Sequence, residues 1–176
     1  MDINLKLEEI KELVLNLNID DKEDFVRELY KWLFQLTYFY NTLVPKYNSI
    51  SETQYYIKSE LRPKAGQVAY FSLRRGYPKE TYDDHWCYIV AVIGNKYLVV
   101  PTTSVKPDSN GINPMYELDI KIKDFENNCI SRMQISDIRS IDAMRLVTSK
   151  KPCKYDVETD RKIILDKIRE VIFLDK

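Results

Sequence analysis

The sequence predicts an α+β protein: a small closed or half-closed β-barrel with peripheral helices, preceded by a helical annex. Three observations carry this. Up to residue 62 the apolar residues recur at three- and four-residue spacing, the period of a helix. From Gly66 the period falls towards two and the runs shorten, as in strands packed into one compact block. Residues 157–174 then return to the helical period. The boundaries are drawn at 1–62 for the helical extension and 63–176 for the barrel domain.

In the annex, Ile3, Leu7, Ile10, Val14 and Leu17 line one side of an amphipathic helix. Asp20-Asp21, followed by Glu23 and Asp24, suits the start of the next helix, where carboxylates meet the positive end of the helix dipole. Phe25, Leu29, Trp32, Leu33, Leu36, Phe39, Tyr40 and Leu43 form a broad stripe ending before Pro45. It reads as a core face, packed on the barrel or on a second copy, with a protein-binding face as the other reading. A third short helix is expected from Ser51, with Glu52 and Lys58 outward, ending at Arg62-Pro63 because a residue before proline leaves the α region.

In the barrel region, Gln67–Leu73 and His85–Ile93 read as strands, and Gly94-Asn95 turns the second into Tyr97–Thr102. The His85–Ile93 run is apolar on both faces, with Cys87, Ile89 and Ala91 on one and Trp86, Tyr88, Val90 and Val92 on the other. Such a strand is central and covered on both sides. Residues 105–115 form a loop, short strands follow near Tyr116–Ile122 and Ser131–Ile135, and the closing helix turns Val157, Ile164, Leu165, Ile168, Val171 and Ile172 inward.

Composition narrows the function classes. Hydrophobic residues at 44% and charged residues at 31% describe a globular chain. No apolar run approaches the roughly 18 residues of a membrane span, and no signal-peptide core is present, so a cytoplasmic location is expected. Three cysteines (Cys87, Cys129, Cys153) without CxxC spacing indicate neither a disulfide framework nor a zinc site. With a single histidine, no transition-metal site is expected, and there is no P-loop or GxGxxG: no cofactor is called for. Net charge is zero, but residues 1–62 hold 8 Lys/Arg against 11 Asp/Glu, and residues 63–176 hold 19 against 16. The barrel region is thus the basic part, compatible with a nucleic-acid surface and equally with ordinary surface charge.

Candidate chemistry centres on His85, the one side chain whose unperturbed pKa suits proton transfer near neutrality. It lies where a loop enters a strand, and its competing reading is a histidine that only satisfies a loop hydrogen bond. Thr102, Thr103 and Ser104 place hydroxyls at a strand end; alternation puts Thr102 on the side opposite Thr103. Such hydroxyls also commonly satisfy turn backbone. Arg74 and Arg75 open the loop between the first two strands; their guanidinium forks match phosphate, and Tyr77 or Tyr82 could stack on an unpaired base. A solvated loop with incidental charge explains them as well. Cys87 shares a strand face with His85 and is read as a buried thiol in preference to a Cys–His nucleophile pair.

Gly66-Gln67-Val68, the polar loop Leu73–Asp84 closing on His85, the tetrapeptide Pro101-Thr102-Thr103-Ser104, then Ser131 and Asp137-Ile138-Arg139-Ser140-Ile141-Asp142 with Arg145-Leu146, resemble the MazF/PemK family of toxin endoribonucleases. The resemblance spans about residues 63–176. Trp86 replaces the usual proline, Asp137 the usual glutamine, and the loop lacks the common Gly-Ser-Glu-Gln wording. The resemblance implies an SH3-like barrel and a metal-independent endoribonuclease acting on single-stranded RNA by 2′-OH attack, leaving a 2′,3′-cyclic phosphate and a 5′-OH. It assigns His85 and Thr103 as catalytic, with Ser104 as second choice, and Arg74, Arg75, Tyr77, Ser104, Ser131 and Arg139 to RNA binding. Asp142 and Arg145 are assigned to structural pairing near the barrel. It further implies a homodimer and a cognate antitoxin that displaces the Leu73–Asp84 loop. The alternative is a non-catalytic interaction protein on the same barrel, since related barrels inhibit gyrase by binding alone.

Overall fold

The computed structural model describes residues 1–48, 50, 56–125 and 129–173. Contacts divide the chain into two units, Met1–Asn48 and Ser49–Lys176. The division falls ahead of residue 62 because the segment before Pro63 belongs with the barrel. Ile57 is buried among Ala69, Phe71 and Leu73, and Lys154 Nζ donates to the Arg62 carbonyl at 2.9 Å.

The first unit holds α1 (Ile3–Leu15) and α2 (Lys22–Tyr38). Asp2 caps α1 by accepting from the Asn4 amide at 2.9 Å. The helix does not stop before Pro45 as expected. After α2 comes a wide π turn, Phe39–Leu43, and then the short α3 (Val44–Tyr47). In the wide turn the Val44 amide bonds back to the Phe39 carbonyl, five residues away, so Pro45 enters at the start of a new turn, where a missing N–H is tolerated. No residue of α1, α2 or α3 is buried. No member of the stripe expected as a core face is fully buried in the single chain: Phe25, Leu29, Leu36, Phe39 and Leu43 are partly buried, and Trp32 and Leu33 are 41% and 54% exposed. The helix expected from Ser51 lies outside the described residues up to 55; beyond them a 3₁₀ turn, Ser59–Leu61, ends before Pro63 as the sequence implies.

The second unit is a curled antiparallel sheet of β1 (Gln67–Ser72), β2 (Asp84–Ile93), β3 (Lys96–Ser104), β4 (Glu117–Lys121), β5 (Ile130–Gln134), β6 (Arg139–Asp142) and β7 (Lys154–Asp156), followed by α4 (Arg161–Ile172). The order is β4-β5-β3-β2-β1-β7, and β3 also carries β6. The long β3 forks: Lys96–Val99 pair with β6, whereas Thr102–Ser104 pair with β5. The sheet curls until its two edges meet, through the Ile122–Val157 bridge and the Lys123 amide on the Asp156 carbonyl at 2.8 Å.

The central strands are covered on both faces, as the two-sided apolar pattern of β2 predicts. Cys87 and Ile89 join Phe71, Tyr97, Val99, Ile141 and Leu146 on one face. Tyr88 joins Val68, Val100, Ile120, Met133, Ile164 and Ile168 on the other. A bulge between Ile89 and Ala91 ends the clean alternation, and Val92 beyond it is 42% exposed. Gly94, at φ +56, makes the tight β2–β3 turn. Asp160 caps α4 by accepting from the Lys162 amide at 2.8 Å, and Ile164 and Ile168, one turn apart, are its buried face.

Candidate functional site

His85 is the second residue of β2 and pairs with Phe71 on β1. Alternation directs it to the Cys87–Ile89 face, where it is half-buried and its Nδ1 is enclosed without a hydrogen-bond partner. Burial lowers its pKa below 6.5; the Tyr82 backbone, Asp83 and Asp84 oppose this, and the Arg139 cation adds to it. Burial thus favours the neutral form of the imidazole over the charged one.

Thr103 reaches the same face from β3. The last β2–β3 pair is Cys87 with Pro101, and continuing that register by two residues sets His85 opposite Thr103. Beyond Pro101 β3 turns to pair with β5, matching Thr102 with Met133, Thr103 with Arg132 and Ser104 with Ser131. Among the described residues no hydrogen bond joins His85 to Thr103. Thr102 is buried and donates through Oγ1 to the Trp86 carbonyl at 3.1 Å, while Thr103 and Ser104 are exposed. Ser131 is 2% exposed and pairs with Ser104. Alternation places these two serines on the opposite face from Thr103, away from His85.

Arg139 acts on His85 through its charge. It opens β6 opposite Val99, which pairs in turn with Ile89 on the His85 face. Its Nε donates to the Asp137 carbonyl at 3.2 Å, and its charge is felt by His85, Cys87 and Arg145. Arg145 donates to the Ser72 carbonyl at 3.1 Å, and Asp142 caps the Ala143–Arg145 turn through the Met144 amide at 2.8 Å. The Cys87 thiol is fully buried and pushed up from its ordinary pKa, so it is no thiolate nucleophile.

The loop of residues 73–83 is closed at its neck. Leu73 donates to the Asp83 carbonyl at 2.8 Å, and both Arg74 (φ +71) and Asp83 (φ +60) adopt the left-handed conformation. Arg75 is turned into the loop: its Nη2 meets Asp83 Oδ2 at 2.5 Å and its guanidinium covers the Tyr82 ring at 4.5 Å. Arg74 is half-buried, whereas Tyr77 at the tip is 80% exposed. Of the loop residues singled out by sequence, Tyr77 is the one presented to solvent as a stacking surface.

Two residues escaped the sequence reading. Thr81 ties the loop to Asp137, giving its amide to Oδ2 at 2.6 Å and its hydroxyl to the same oxygen. Arg132, 8% exposed opposite Thr103, forks onto Asp119 at 2.7 and 3.1 Å and donates to the Asn110 carbonyl at 2.7 Å. It thereby anchors the 105–115 loop beside Thr103. Neither pairing leaves a local signal, because the partners lie 56 and 13–22 residues apart. Trp86 points away from His85, into rings of Tyr70, Phe125 and Tyr155 with centroids 5.0–5.2 Å off.

Among the described residues no three His, Cys, Asp or Glu side chains gather to hold a metal ion, and no helix is long and apolar enough to cross a membrane. Compared with models of known families and with curated proteins, the chain matches none.

Proposed function

We propose that this protein is an endoribonuclease of the MazF/PemK type, an SH3-like barrel that cleaves single-stranded RNA without a metal. The observation that carries the reading is the half-buried His85, which shares a sheet face with Thr103 by strand alternation and lies within the field of the Arg139 cation. That trio matches what 2′-OH attack needs. His85 takes the 2′ proton as the new O–P bond forms, Thr103 and Arg139 donate to the phosphate oxygens, and the P–O5′ bond breaks as the 5′ oxygen gains a proton from water. Duplex RNA cannot swing its 2′-OH in line, so the substrate is unpaired, and Tyr77 offers a base a stacking face. In this reading the molecule is a cytoplasmic toxin that works as a homodimer, silenced by an antitoxin over the 73–83 loop.

Where the family pattern has proline and glutamine, Trp86 fills the opposite face of β2, and Asp137 holds both the loop and Arg139. The test is to incubate the purified protein with a long single-stranded RNA in EDTA and map new 5′ ends. Discrete 5′-OH ends that persist in EDTA and diminish at high salt support the reading. Intact RNA under these conditions turns it towards the non-catalytic, partner-binding alternative.

A further inference from the structure

We infer that Asp137 is a positioning residue that couples the 73–83 loop to Arg139 and, through Arg139, to His85. The inference deepens the ribonuclease reading and rests on it for its catalytic consequence. One carboxylate oxygen, Asp137 Oδ2, accepts both the Thr81 amide and the Thr81 hydroxyl and lies 3.5 Å from Arg139 Nη2. The Asp137 carbonyl accepts Arg139 Nε at 3.2 Å. Asp137 and Arg139 are both largely shielded, with side chains 17% and 25% exposed, which strengthens the pairing relative to a surface ion pair.

The closed loop draws on this tie. Its neck holds two non-glycine residues, Arg74 and Asp83, in the left-handed region, a conformation that persists where surrounding contacts over-determine it. Loop closure and Arg139 placement therefore share one acceptor, and whatever displaces Thr81 leaves the Asp137 oxygen to Arg139 alone. The groups facing His85 are Asp83, Asp84 and Arg139, with Arg145 next to Arg139, so a displaced Arg139 leaves His85 among carboxylates. By linkage the dependence runs both ways: a ligand anion that captures Arg139 biases the loop, and a partner that opens the loop reaches the base.

The chain's single histidine makes the test direct, because its NMR titration needs no assignment. In Asp137→Ala, loss of positioning lets Arg139 leave; the His85 pKa rises towards 6.5, and trypsin cuts after Arg74, Arg75 or Lys79 several-fold faster. Asp137→Asn, which keeps an acceptor for Thr81, restores loop protection. Thr81→Val, which removes only the hydroxyl, moves both readouts in the direction of Asp137→Ala by a smaller amount. If Asp137 contributed nothing but its charge, its removal would lower the His85 pKa and leave the loop as protected as before; that result overturns the inference. RNA turnover is the third readout, with kcat expected to fall in Asp137→Ala. A wild-type protein inert towards RNA defeats the ribonuclease reading, while titration and proteolysis still decide the role of Asp137.

Discussion

The two units spend their apolar residues in opposite ways. The second unit buries Phe71, Tyr88, Tyr97 and Ile89 completely or almost so in two cores that sandwich β1–β3. The first has a comparable share of large apolar side chains but buries none, leaving Leu33, Phe34 and Tyr40 more than half exposed. Between Lys31 and Lys46 there is no charge at all. A helix apolar on all sides is normally an interior helix. The difference teaches that periodicity identifies a helix without revealing whether a core exists for it.

Chemistry is the sharpest way to set the units apart. His85→Ala is expected to cost roughly 10²–10⁴-fold in RNA cleavage, the scale of general acid–base help, with an unchanged melting temperature. Thr103→Ala should cost about one to two tenfold steps, at about 1.4 kcal/mol each, and the double variant less than the product because both act on one step. Single-turnover cleavage rates and melting curves check this. A His85→Ala protein that folds and cuts undiminished removes the base from the mechanism.

Stability should divide the units next. Phe71→Ala leaves a cavity in a fully buried site and is expected to cost about 3–5 kcal/mol in denaturant unfolding. Phe34→Ala, at a site 63% exposed, should fall within about 0.5 kcal/mol of wild type in dilute protein. A large loss at Phe34 would mean that the first unit has found a cover in solution.

The smallest effect is on pH. His85 is held below its unfolded pKa of 6.5, so the unfolded chain binds the proton more tightly. Its contribution to stability is full above pH 6.5 and is lost as pH falls through the folded value. The unfolding free energy of wild type minus that of His85→Gln, followed across that window, should fall towards acid. A difference that grew towards acid would reverse the sign argued from burial.

Much of the second unit was legible. Two-sided apolarity marked β2 as central, and the Ile164–Ile168 spacing marked the buried side of α4. β6 and β7 were not, since four and three residues are too short to show a period, and their pairing with β3 and β1 is set by distant partners. For the site, residue type alone pointed to His85, whereas the sheet face it shares with Thr103 follows from strand alternation. The same alternation sends Ser104 and Ser131 to the other face, which a list of hydroxyls along the chain does not show.

The two tryptophans fall one to each unit, and that makes the chain its own spectroscopic pair. Trp86 lies against three aromatic rings at the barrel end, with Lys150 6.0 Å from its centroid, so its emission is expected to be the bluer of the two and to follow melting of β1, β2 and β7. Trp32 sits on α2 with 41% of its surface open to water, where redder emission and access to quenchers are expected. A quencher titration therefore reads the helical unit while the blue band reads the barrel, in one cuvette and without a label.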